Sequence, residues 1–158
     1  MYLKKFFAVF AVCSIFLFEI STVEAAKLGS FEENAQAVEF LNKVRAEVGL
    51  KRVKWNSHSK LQAAAELRAK ELEKLFSHIR PNGFICFTAL KESSVVKYKI
   101  CAENIAYDKN LSAEGATKLW CNSPCHYEVM TIGDLKEVGL ASWHDNNGNV
   151  YWVQLFTG

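Results

Sequence analysis

Proline is almost missing from this chain: only Pro81 and Pro124 occur in 158 residues. No Pro-rich or low-complexity tract and no internal repeat appears, which excludes a solenoid and gives no place for an interdomain linker. An excess of one charge is missing too. Lys and Arg number 19 against 17 Asp and Glu, a formal balance of +2, and no basic stripe with interleaved aromatics argues for nucleic acid. There is no Gly-X-Ser-X-Gly turn to present a serine nucleophile. The i,i+4 histidine pair of a helical zinc motif is also absent. No apolar run reaches the roughly 20 residues of a comfortable membrane span.

What is present begins with an export signal. Lys4 and Lys5 precede the uncharged run Phe6 to Phe18, and Val23-Glu24-Ala25-Ala26 offers a small-residue cleavage site. Residues 1–25 are therefore expected to be a signal peptide. Residues 26–158 are expected to form one domain, secreted and monomeric, with no stable membrane span once the signal is removed. Cys13 falls within the signal. The even set Cys86, Cys101, Cys121 and Cys125 in an exported chain favours two disulfides. Of three connectivities, Cys86–Cys101 with Cys121–Cys125 is preferred; the first closes a loop of about 16 residues, worth roughly 3 kcal/mol. Zinc held by these thiols is the rival reading.

Apolar residues Ala37, Val38, Leu41, Val44, Ala46 and Val48 recur at helical spacing, and Gly49 ends that segment. A second helix is expected over about 58–75, capped from Asn56-Ser57, with Leu61, Ala64, Ala65, Leu67, Ala69, Leu72 and Leu75 inward. A third begins near Ser112 and carries Trp120 on its buried face. Residues 84–100 read as mostly loop, and after Pro124 the pattern is strand. Residues 136–143 and 150–156 alternate about an Asn- and Gly-rich turn, as a hairpin does. Helices followed by an antiparallel hairpin give an α+β fold.

The chemistry-bearing residues sit in three pieces: Ser77-His78-Ile79-Arg80-Pro81-Asn82-Gly83, Ala102-Glu103-Asn104-Ile105-Ala106, and Trp120-Cys121-Asn122-Ser123-Pro124-Cys125-His126. Imidazole and carboxylate groups bind metals and move protons near neutral pH. With Phe40-Leu41-Asn42-Lys43-Val44-Arg45, Val53-Lys54-Trp55-Asn56, Glu137-Val138-Gly139 and Tyr151 to Phe156, these pieces resemble in order the signature of the CAP superfamily, bacterial SCP-like branch. That group is named for cysteine-rich secretory proteins, antigen 5 and plant pathogenesis-related proteins.

The resemblance implies a three-layer α/β/α sandwich with a mostly antiparallel sheet and a cleft lined by His78, Glu103 and His126. Ser123 joins the cleft at the place where eukaryotic members carry a second glutamate. Cys125 replaces the family's glycine before the second histidine, and Glu128 is a candidate for the missing carboxylate. A divalent cation such as zinc, held by His78 and His126, is the implied cofactor. The function expected is a non-catalytic extracellular module that binds a lipid, a cell-envelope component or a host protein. The alternative is a metal-dependent hydrolase using the two histidines and Glu103. Trp55, Trp120, Trp143 and Trp152 are read mostly as core, and His58 and His144 as solvated.

Overall fold

A computed structural model describes residues 25–158; the signal-peptide segment lies outside them, apart from Ala25. The chain runs β1 (Lys27–Leu28), α1 (Phe31–Glu47), β2 (Lys54–Trp55), α2 (Lys60–Leu72), α3 (Thr88–Glu92), β3 (Cys101–Lys109), α4 (Ala113–Cys121), α5 (Pro124–Met130), β4 (Glu137–His144) and β5 (Asn149–Thr157). Three helices start on a serine whose hydroxyl accepts an amide of the first turn: Ser30 from Glu33, Ser59 from Gln62 and Ser112 from Gly115. The cap of α2 is thus Ser59 rather than Asn56-Ser57. Asn56 Oδ1 instead accepts from the His58 amide, a local turn that delays the helix.

The strands form one sheet in the order β1-β4-β5-β3, with β2 also on β4. Among the described residues only the β2–β4 pairing is parallel. The β4–β5 hairpin closes through Asp145, whose carboxylate accepts the Asn147 and Asn149 amides. Side chains alternate across this sheet. Val138, Leu140, Ala106, Trp152 and Phe156 meet α1, α4 and α5, while Ala141, Ile105, Val153 and Leu155 meet α2 and α3. Helices therefore cover both faces, and the fold is the α+β sandwich expected.

Two short helices depart from the sequence reading. Pro124 opens α5 instead of ending helical structure, because at the first helical position its missing N–H has no partner to lose. In the stretch read as loop, α3 forms where Ala89 and Leu90 are buried against α2. His144, read as solvated, is half-buried and lies 3.1 Å from Glu33 through Nε2. The expected disulfides are not formed: Cys86, Cys101, Cys121 and Cys125 are free. Cys121 closes α4 and Cys125 lies in α5, with extended Ser123 between the helices, so the two thiols do not share a helical turn. Cys86 turns inward to a carboxylate described below.

Candidate functional site

The candidate residues meet at β3, an edge strand whose consecutive side chains point to opposite faces of the sheet. Glu103 points to the α2 side and Asn104 to the α5 side. Asn104 Nδ2 donates to the His126 carbonyl at 3.0 Å and to Gln154 Oε1 at 3.2 Å. It thereby fixes α5 to the sheet at the residue carrying the second histidine.

On the α2 side stands a small hairpin that follows α2. The Arg80 amide donates to the Phe84 carbonyl, and the Cys86 amide donates to the His78 carbonyl, both across the turn Pro81-Asn82-Gly83. Gly83 has φ +85°, a conformation that glycine adopts without a Cβ penalty. This pairing sets the His78 ring and the Cys86 thiol side by side over Glu103. Ligand atoms of His78, Cys86 and Glu103 all lie within 4.8 Å of one another.

Glu103 is buried and fully engaged. Its Oε2 accepts from Arg68 Nε at 2.8 Å, and its Oε1 accepts from Arg68 Nη2 at 3.3 Å and lies 2.8 Å from His78 Nδ1. A carboxylate already receiving a guanidinium accepts further donors, so His78 Nδ1 donates to it, and in the neutral ring Nε2 is an acceptor. The His78 side chain is 51% exposed, so that acceptor faces outward.

Behind Glu103 the charges alternate. Arg68, with no exposed surface, also donates to Glu71 Oε2 at 2.8 Å and to the Ser77 carbonyl. Glu71 accepts in turn from Arg80, which reaches Glu92 and Thr88 as well. Burial opposes the charge on Arg68, yet the hydrogen bonds it donates to Glu103 and Glu71, together with their negative charges, outweigh it and raise its pKa. Burial likewise pushes Glu71 upward, but Arg80 and Arg68 hold it below its usual value. For Cys86 burial dominates, and the adjacent Glu103 charge adds to it, pushing the thiol up to about 12. At neutral pH Cys86 is a protonated donor and not a nucleophile.

His126 is half-buried on α5. Burial first, and the nearby His78 second, lower its pKa below the ordinary imidazole value, so it is neutral at neutral pH. Ser123 precedes α5 in extended conformation and makes no capping hydrogen bond through its side chain. Glu128 and Cys125 are exposed on α5, outside the cluster around Glu103.

Arg68 and Glu71, which anchor the site, were not singled out from the sequence. The signal was present: Arg68 falls seven residues after Leu61, on the buried stripe with Ala64, Ala65, Ala69 and Leu72. An arginine at such a position needs a buried counter-charge. For Cys86 the sequence suggests a disulfide or a thiol-bound zinc, whereas the thiol stands against Glu103.

The family profile of the cysteine-rich secretory proteins, CAP, matches residues 38–156. No curated protein sequence is significantly similar to the chain. Among solved structures, an extracellular protein containing an SCP domain from Bacillus anthracis superposes with a TM-score of 0.64 at 20% identity, over 80% of this chain and 40% of that one. The chain thus spans well under half of that protein's length. An outer surface protein from Borrelia burgdorferi gives a TM-score of 0.71 at 17% identity, covering 82% of this chain and 94% of that one. Venom allergen-like protein 4 of Schistosoma mansoni gives 0.58 at 24% identity, covering 80% and 88%.

Proposed function

This chain belongs to the cysteine-rich secretory protein (CAP) family, and on that premise we propose that it is a secreted, non-catalytic binding module whose cleft between His78 and His126 receives a hydroxyl-bearing lipid. The observation that carries this reading is the saturation of Glu103. Arg68, His78 and Cys86 all engage its carboxylate, so it orients the His78 ring and is not available to polarise water. No hydroxyl or thiol beside His78 and His126 is set up as a nucleophile among the described residues. Cys86 is a protonated thiol, and Ser123 is hydrogen-bonded to neither histidine.

The exposed groups favour binding. His78 Nε2 is an acceptor on a fixed ring, suited to a ligand O–H. On the same hairpin Ile79, Phe84 and Ile85 are 46%, 63% and 52% exposed, an apolar rim beside a polar anchor. A lipid with one hydroxyl and an apolar body matches that pairing. The setting is consistent with export: the Bacillus and Borrelia structures are of an extracellular and an outer surface protein. Among the described residues no helix is long and apolar enough to cross a membrane.

The ligand atoms that converge are those of His78, Cys86 and Glu103, with His126 outside that group, and a divalent cation such as zinc is the second reading. Nδ1 of His78 is tied to a carboxylate, the usual arrangement behind a metal-ligating imidazole, and His126 is held in its neutral, ligating form. His78 and His126 would hold it, Glu103 would keep the His78 ring in place, and the bound ion would supply Lewis-acid chemistry.

Zinc calorimetry on the folded chain, paired with chromogenic ester hydrolysis, separates binding from catalysis. We expect ester turnover of the wild type to equal that of His78→Ala at every zinc concentration, whether or not zinc binds. Zinc-dependent turnover abolished in both His78→Ala and His126→Ala would replace this reading with the metal-dependent hydrolase.

A further inference from the structure

A charged recess lies apart from His78, Glu103 and His126, none of which lines it. A cavity of about 490 Å³ opens where the loop after α1, β2 and the start of β4 meet the end of β5. Its cationic lining is Arg45, Lys51, Arg52, Lys54, Lys97 and Lys136, and Glu137 is the one acidic side chain among its lining residues. Gly158 lies at its edge, with its carbonyl oxygen already accepting the Lys99 and Ile100 amides. Arg52 is paired with Glu39. Lys51, Lys54, Lys97 and Lys136 are exposed and make no ion pair among the described residues.

Like charges do not gather in a concavity without cost, and here the floor adds to them. Arg45 is 1% exposed and spends its donors on main-chain carbonyls: Nε on Lys51, Nη1 on Met130 and Ile132, and Nη2 on Leu135. No carboxylate balances this buried guanidinium, and burial lowers its pKa. Those four carbonyl contacts also fasten the 51 and 130–135 loops together, so the recess is held open by a rigid base. The Lys54 amide donates to the Lys136 carbonyl at 2.8 Å, and Lys54 stands in register with Glu137, so both lysines border the recess from neighbouring segments beside its one acidic side chain. Low-dielectric walls carrying one sign of charge focus the field into the cavity.

We propose that this recess binds compact polyanions bearing clustered phosphate groups, with Lys51, Lys54, Lys97 and Lys136 as the contacts. The volume is roomier than a single phosphate requires, and several ammonium groups on separate segments suit an anion with more than one charged group. Lysine presents a compact point charge to each phosphate and needs no fixed fork geometry. Soluble polyphosphates and phosphorylated lipid headgroups share this chemistry.

The test titrates tripolyphosphate into the folded chain by calorimetry, and in a second arm co-sediments the chain with phosphatidylglycerol vesicles against phosphatidylcholine vesicles. The variant is Lys54→Glu with Lys136→Glu. The control, Lys60→Glu with Lys74→Glu, changes net charge equally on α2 and just beyond it. All four lysines are exposed, and unfolding midpoints without ligand establish that both variants fold. Saturable one-site binding is expected, weakened at least about ten-fold in the first variant and less than about two-fold in the control. Vesicle binding lost in the first variant alone identifies a membrane-borne ligand; tripolyphosphate binding without vesicle binding identifies a soluble one. Equal weakening in both variants, or no binding in either arm, overturns the proposal.

Discussion

Replacing Arg68 by alanine is expected to lower the stability of the domain by about 3–5 kcal/mol, the usual cost of stranding a buried charge. Arg68 has no exposed surface and faces Glu103 and Glu71, whose own exposure is small. Without it, Glu103 retains only His78 and the Cys86 thiol, and Glu71 retains Arg80. For a domain of this size the loss corresponds to a fall in Tm of about 10–20 °C. Lysine at the same position keeps the charge but not the fork that meets both Glu103 oxygens, so it should recover only part. The double variant Arg68→Met with Glu103→Met removes both charges and should unfold at a higher urea concentration than Arg68→Ala alone. Urea midpoints at constant slope decide the matter. A loss under about 1 kcal/mol for Arg68→Ala would mean that water reaches the pair and screens it.

The second large effect is expected at Gly139, where β4 passes beneath the start of α2. A Cβ at this position would lie 2.3 Å from the Leu61 carbonyl oxygen and 2.7 Å from its carbon. Both obstructing atoms are main chain, so no side-chain rotation relieves the overlap and α2 must lift from the sheet. Gly139→Ala should therefore cost about 3 kcal/mol, the upper end of what overpacking a well-filled core does. The same helix carries Arg68 and Glu71, so the displacement should also loosen the His78 hairpin. Urea unfolding reads the first consequence. The affinity of the cleft for its ligand reads the second. A Gly139→Ala protein with wild-type stability would show that α2 and the sheet are not packed as closely as described.

Much of this architecture can be read from periodicity. The buried stripes of α1, α2 and α4 recur at helical spacing, and the β4–β5 hairpin alternates about a turn rich in Asn and Gly. Elements that escaped are those whose local signal conflicts with their context. Pro124 resembles a stop because its helix-breaking effect depends on position, and its place as the first residue of α5 is visible only in three dimensions. The five-residue α3 is too short for periodicity and is held by Ala89 and Leu90 in the core.

The site was partly legible for a related reason. His78, Glu103 and His126 stand out as residue types, but their connections do not. Arg68 and Cys86 reach Glu103 from α2 and from the far side of a hairpin, and no spacing along the chain encodes that meeting. The odd cationic residue on the apolar stripe of α2 was the one local clue. The even cysteine count led elsewhere, since parity says nothing about whether a thiol faces another thiol or a carboxylate.

The most direct test of the binding role of the cleft is a titration of a fluorescent sterol into the folded chain, beside His78→Ala and the double variant Phe84→Ser with Ile85→Ser. Phe84 and Ile85 are more than half exposed, so their replacement leaves the core intact. Saturable binding is predicted for the wild type. Removing the apolar rim should weaken it about ten-fold or more, and removing the His78 acceptor should weaken it by roughly three- to ten-fold. Absence of saturable binding by the folded wild type, or binding that neither variant changes, would contradict the account.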